Sequence, residues 1–297
     1  VPVGSGLPLP STWPPRAFTR AEAVAHNRRM SEELAQADAP VAEEAELVFE
    51  QPLNERMRTF LRIDFLYGQA SYHNERASEW GSRAAIASLI DILAITGRGD
   101  ARADALKELE RHLTQLNEFQ AKPNVDGSRL RSVMTNLMRL RTELLAAGSA
   151  YLQPIKESEF LAAVKHRSAI PGGTCEFDLP DYFYWLQQPA QVRTQAFNEW
   201  LALLRPLCDS IAELLWLTRQ NGRPRNEVAK GGTFHITFDR DSPVQLLRIG
   251  VPQSLGLYPE ISGSHYRSSV RFLSWNGLGA RPTQASADVP FTLSCCG

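Results

Sequence analysis

Long apolar runs are missing from these 297 residues. None approaches the roughly 18 residues of a membrane-spanning helix, so no span is expected. The first residues show no charged segment leading into an apolar one, so no secretory signal is expected either. Cysteine is scarce: Cys175, Cys208, Cys295 and Cys296 have neither C-x-x-C spacing nor the pattern of a disulfide framework. Cys295 and Cys296 are adjacent and poorly placed to bridge to each other; they read as strand residues facing opposite ways. A reduced, cytoplasmic protein is the expectation. Excess charge of one sign is absent as well, with 32 Lys and Arg against 33 Asp and Glu, a net charge of −1. No global attraction to nucleic acid or to an anionic membrane follows, so any charged recognition must be local. Catalytic signatures are also lacking: no G-x-S-x-G elbow, phosphate-binding loop, G-x-G-x-x-G fingerprint or H-E-x-x-H. His26, His73, His112, His166, His235 and His265 are scattered without metal-ligand spacing, and Ser264 beside His265 has the wrong geometry for an activated serine. Neither enzyme activity, cofactor nor metal is expected.

What is present is a globular composition, 43% hydrophobic and 22% charged, long enough to bury a core. Residues 1–46 differ from the rest. Pro2, Pro8, Pro10, Pro14 and Pro15 cluster there among Ala, Glu, Arg and Ser, with few large apolar residues, so a disordered extension is expected. Met30 offers an alternative start. The stretch Phe49–Tyr67 follows, with Pro52 suited to the first turn of a helix. Leu53, Met57, Phe60, Leu61 and Tyr67 then recur on one face, with Arg58 and Arg62 opposite. Asp64 falls within the apolar face, where a charge needs a partner such as an arginine of a neighbouring element.

A second helix is expected at about 83–95, ending at Thr96-Gly97-Arg98-Gly99-Asp100. Leu106, Leu109, Leu113 and Leu116, then Leu130, Val133, Leu137, Leu140 and Leu144, repeat the narrow seam of an antiparallel helix pair. A short helix over 157–165, a strand near 174–177 and an aromatic helix over 181–188 come next. The apolar helical region 190–219 carries Pro206, which would kink or divide it. From Asn221 the period changes to two, in runs over 233–238, 245–251, 266–274 and 291–295. These read as an antiparallel sheet with one wet face. The fold class is therefore α+β: a helical domain over 47–230, containing the long antiparallel pair, and a C-terminal β-sheet domain over 231–297.

Arg267 and Arg271, four apart on a strand, point to one face about 13 Å from each other. Arg248 faces outward on its own strand and would extend the patch if the strands are neighbours. Spacing leaves two readings: a solvated face with cross-strand partners, or a carboxylate-binding surface of guanidinium groups.

Three blocks resemble the ZapD family of cell-division proteins. They are Phe49-Glu50-Gln51-Pro52-Leu53-Asn54-Glu55-Arg56-Met57-Arg58-Thr59 with Leu61–Leu66, Ile170-Pro171-Gly172-Gly173-Thr174-Cys175 leading into Phe177-Asp178-Leu179-Pro180, and Leu257-Tyr258-Pro259-Glu260-Ile261-Ser262-Gly263 running to Arg267 and Arg271-Phe272. The closing Cys295-Cys296 is similar too, and the likeness spans about 47–296. The resemblance implies a cytoplasmic homodimer at the mid-cell division ring that binds the C-terminal tail of FtsZ and cross-links its protofilaments into bundles. No nucleic acid and no membrane span belong to that expectation. It also implies a basic, tail-binding pocket whose arginines fall on Arg98, Arg267 and Arg271. The alternative is a binder of a small phosphate- or carboxylate-bearing metabolite through the same arginines.

Overall fold

A computed structural model describes residues 45–119, 126–239, 241–263 and 266–297. Nearly all of the Pro-rich extension lies outside the described residues, as does most of the turn after residue 119. The chain runs β1 (Glu46–Pro52), α1 (Glu55–Asn74), α2 (Glu79–Thr96), α3 (Ala101–Phe119), α4 (Gly127–Ala146), α5 (Gln153–Lys156), α6 (Glu159–Ser168), α7 (Pro180–Leu186) and α8 (Ala190–Asn221). The strands follow: β2 (Arg225–Ala229), β3 (Thr233–Thr237), β4 (Leu246–Pro252), β5 (Leu257–Gly263), β6 (Arg267–Ser274), β7 (Thr283–Gln284) and β8 (Val289–Cys296). The α+β class holds: a helical body followed by antiparallel sheets.

The opening stretch differs from its helical reading at one point. Pro52 ends strand β1, and α1 begins only after Asn54, whose side chain accepts from the Met57 N–H at 2.8 Å. Leu47-Val48-Phe49 favours an extended backbone, and a proline is tolerated at the end of an edge strand. From there the helical face behaves as its period requires: Met57, Phe60, Ile63 and Tyr67 are buried, with Phe60 only 1% exposed. Truncating such a phenylalanine to alanine costs about 3–5 kcal/mol. Helix α2 starts at Glu79, four residues earlier than its apolar pattern suggests, because Ser78 caps it through the Gly81 N–H at 2.9 Å.

The leucine seam forms the α3–α4 pair, with Leu109, Leu137, Leu140 and Leu144 buried. Arg102 secures its end by donating from Nε to the Leu144 carbonyl at 3.0 Å. Helix α8 lies against α1, α3 and α4 and runs through Pro206 without division. Its apolar face, from Phe197 through Leu204 and Ile211 to Leu215, is buried along both halves, and that packing outweighs the lost hydrogen bond. The aromatics of 160–200 pack together, Phe160 lying 5.7 Å from Tyr182 and Trp185 and 6.1 Å from Trp200 between ring centroids. Residues 174–177 form turns rather than a strand. Gly173 there sits against the Arg167 and Ile170 backbone, leaving no room for a side chain.

The β region is two sheets, not one. The first has order β1-β4-β8-β2; the second has order β3-β6-β5, with β7 added to β6. All strand pairings among the described residues are antiparallel. Leu247, Ile249, Val251, Phe291 and Leu293 of the first sheet meet Ile236, Val270 and Phe272 of the second in a shared core. The other face of the first sheet is covered too: Leu246 and Cys296 join the core of the helical body. Only the second sheet keeps the single wet face that the alternation suggests. Leu246 points away from the sheet core, and a helical layer receives it. Cys295 and Cys296 do face opposite ways, one toward each core. Strands β1 and β2 arise from residues whose pattern placed them with the helices. The chain passes from β2 in the first sheet to β3 in the second through Gly231 and Gly232, both at positive φ, a region that other residues enter at a cost.

Candidate functional site

Strand β6 is central in its sheet, held by β3 on one side and β5 on the other, so its side chains stand on a rigid platform. Along it, Ser268, Val270 and Phe272 are buried while Arg267 and Arg271 are exposed. The two arginines thus share the wet face, as their spacing requires. Arg267 lies opposite Thr237 of β3, and Arg271 lies opposite Glu260 of β5, with which it forms an ion pair. Both groups are about half exposed, 54% and 52%, so this pair is open to water and contributes little to stability. An incoming carboxylate would compete with Glu260 for Arg271. The pattern of β6 alone gives no sign of Glu260, which enters through register.

Arg98 stands elsewhere, on the helical body, in the turn between α2 and α3. It is exposed and makes no ion pair among the described residues. The turn and the α4–α5 connection enclose a groove of about 390 Å³. Arg98, Arg102, Tyr151 and Lys156 are among the residues lining it. Asp100, also in the lining, caps α3 by accepting from the Ala103 N–H at 2.9 Å.

Arg248 does not join β6. Strands β4 and β6 lie in different sheets, and the Arg248 Nε donates to Glu50 at 3.1 Å. Glu50 also accepts two bonds from Arg219 of α8, both at 2.8 Å. Burial alone would raise the Glu50 carboxyl, but the guanidinium groups of Arg219 and Arg248 outweigh it and hold it below its ordinary value. Burial likewise disfavours charge on Arg219, and the contacts with Glu50, with Asp64 adding its field, hold that guanidinium above its ordinary value. Asp64, half-buried on α1, therefore acts on an arginine of a neighbouring helix.

A second ionic group crosses the same junction. Arg56 of α1 meets the buried Glu108 of α3 at 2.8 Å and the Gln245 side chain, just before β4, at 3.0 Å. Arg111 also reaches Glu108 at 2.8 Å and lies 3.1 Å from the His112 ring. Burial, with the Arg111 charge added, pushes the His112 imidazole down to about 4 against the pull of Glu108. Neutral His112 is therefore the state at ordinary pH.

The thiols are quiet. Burial pushes Cys296 up to about 11, and Cys295 is raised too, so neither forms a ready thiolate near neutral pH. Among the described residues, no group of three or more His, Cys, Asp or Glu side chains is placed to hold a metal. Among them, no helix is long and apolar enough to cross a membrane.

The family model described as ZapD, cell division protein, matches residues 61–271. A cell division protein ZapD of Methylococcus capsulatus is 39% identical over 252 residues, covering 84% of this chain and 98% of the relative. Proteins of the same name from Janthinobacterium sp. and Chromobacterium violaceum are 36% and 38% identical, each over 84% of this chain and at least 98% of their own length.

Proposed function

The chain belongs to the ZapD family of cell division proteins, and from that premise we propose that it is a non-catalytic adaptor which binds the C-terminal tail of FtsZ. The observation that carries this reading is the wet face of β6, where Arg267 and Arg271 stand exposed on a strand fixed from both sides. Guanidinium groups held at a set spacing suit an acidic, extended peptide, because each can take a carboxylate bidentately. Arg98 contributes from the helical body. Arg248 is left out of the site, since Glu50 already occupies it.

The protein acts as a homodimer in the cytoplasm at the division ring. A two-fold axis presents two identical tail sites, so weak single contacts on neighbouring protofilaments sum to avidity and bundling. Because the β6 pairs are open to water, binding weakens as salt rises. The near-neutral net charge gives nucleic acid no comparable hold.

Sedimentation of FtsZ with and without the protein, using full-length and tail-deleted FtsZ in parallel, tests this reading. Pelleting that requires both the protein and the tail is the expected result. A folded protein that pellets neither form overturns the adaptor reading. The groove at Arg98 favours one other reading, capture of a small phosphate- or carboxylate-bearing metabolite, and titration calorimetry against such ligands would then decide it.

A further inference from the structure

The groove beside Arg98 gathers cations from three separate elements. Arg98 comes from the α2–α3 turn, Arg102 from the first turns of α3, and Lys156 from the end of α5. These three cations face a single acid in the lining, Asp100, whose carboxylate is engaged with the Ala103 N–H. Arg102 is committed as well, its Nε and Nη2 donating to the Leu144 and Leu145 carbonyls at 3.0 and 3.3 Å. It therefore supplies charge from a fixed position. Arg98 and Lys156 are exposed and make no ion pair among the described residues, so both are available. The volume, about 390 Å³, lies near the lower bound of roughly 300 Å³ for built ligand clefts. That is room for a side chain or two, not for a folded partner. Tyr151, half-buried in the same lining, keeps its proton because burial raises the phenol well above its ordinary value, so its hydroxyl remains a donor.

We infer that this groove is a second anchor for the acidic tail, in which Arg98 and Lys156 together bind one carboxylate side chain. The inference rests on the tail-binding reading and adds a residue to it. Lys156 gives no hint of such a role in sequence, because it lies 58 residues from Arg98 in a four-residue helix. The arrangement separates two contact regions on one chain, an exposed arginine strand and a half-open lysine–arginine groove. A tail spanning both would be held in register as well as by charge.

The test is fluorescence anisotropy of a labelled FtsZ C-terminal tail peptide against the full chain and five variants: Lys156→Glu, Lys156→Arg, Arg98→Glu, Arg271→Glu and the double variant Arg98→Glu with Lys156→Glu. Lys156→Glu is expected to weaken binding about tenfold, and Lys156→Arg to stay within about twofold of wild type. Arg98→Glu combined with Lys156→Glu should lose less than the product of the two single losses, because they share one carboxylate. Lys156→Glu within twofold of wild type, while Arg271→Glu loses binding, overturns the groove and leaves the tail reading standing. A folded wild-type chain that binds no peptide overturns both. Lys156 is exposed on a one-turn helix, and an unchanged circular dichroism spectrum confirms that its variants remain folded.

Discussion

Arg248 and Arg271 occupy the same kind of place in sequence and different places in the molecule. Each sits on an antiparallel strand, points away from the shared sheet core, and meets a glutamate directly opposite on the next strand: Glu50 for Arg248 and Glu260 for Arg271. The first pair lies under the helical body, where Arg219 of α8 adds a third charge and Glu50 is 21% exposed. The second pair lies under water, with both groups about half exposed. What covers the strand decides the role. Under a helical layer, an arginine and its glutamate hold two parts of the chain together. In water the same pair is weak, and the arginine can exchange its partner for a carboxylate from outside.

Charge reversal on the open side should give the largest effect. On the tail-binding proposal, Arg267→Glu with Arg271→Glu is expected to weaken tail binding about a hundredfold or more and abolish bundling, with helicity and oligomeric state as in the wild-type chain. Retained bundling would place recognition away from β6. The covered side should respond in the opposite way. Glu50→Ala leaves two partly buried guanidinium groups facing one another and should cost about 2–3 kcal/mol in denaturant unfolding, with peptide affinity intact. A stability loss too small to measure would show that the junction does not depend on this cluster.

Acid sharpens the contrast. His112 is buried beside Glu108 and Arg111 with its folded pKa near 4, below the 6.5 of an exposed imidazole. The unfolded chain therefore takes up a proton first, so stability falls as pH drops from about 6.5 toward 4, by on the order of 2 kcal/mol. Glu50, whose carboxyl is lowered, adds a further loss as pH falls below 4.5 through its folded value. Unfolding midpoints measured over this range should slope for the wild-type chain and flatten above pH 5 for His112→Gln; an equal slope in both would remove His112 from the account. The smallest effect is expected at Glu260. Glu260→Gln frees Arg271 from its competitor and should tighten the tail by about two- to threefold, read by the same peptide titration. Weaker binding would mean that Glu260 orients Arg271 rather than competing for it.

Much of this was legible from periodicity. The leucine seam of α3 and α4, the buried face of α1, and the exposed side of β6 follow from spacings of 3.6 and 2 residues. The opposite facings of Cys295 and Cys296 follow from the same rule. Where the reading failed, a longer-range contact had intervened. Pro52 suited a helix start, yet Leu47–Gln51 pair with β4, about 200 residues away, so the helix waits for Asn54. Pro206 would divide an isolated helix, but the apolar face of α8 is buried on both sides of it. The strand runs alternate as for a sheet with one wet face, and nothing in the alternation of β4 distinguishes water from a layer of helices.

The sequence by itself determined where the main helices lie, which side of most helices and strands is apolar, and that two arginines on β6 share one face. These are local matters, set by backbone geometry and the cost of leaving apolar surface in water. Tertiary structure decided which charges meet. It gave Arg248 to Glu50 and Arg219, gave Arg56 to Glu108 and Gln245, and brought Lys156 to the groove of Arg98. The physical reason is that an ion pair depends on distance and on access to water, and both are fixed only when elements far apart in the chain pack together.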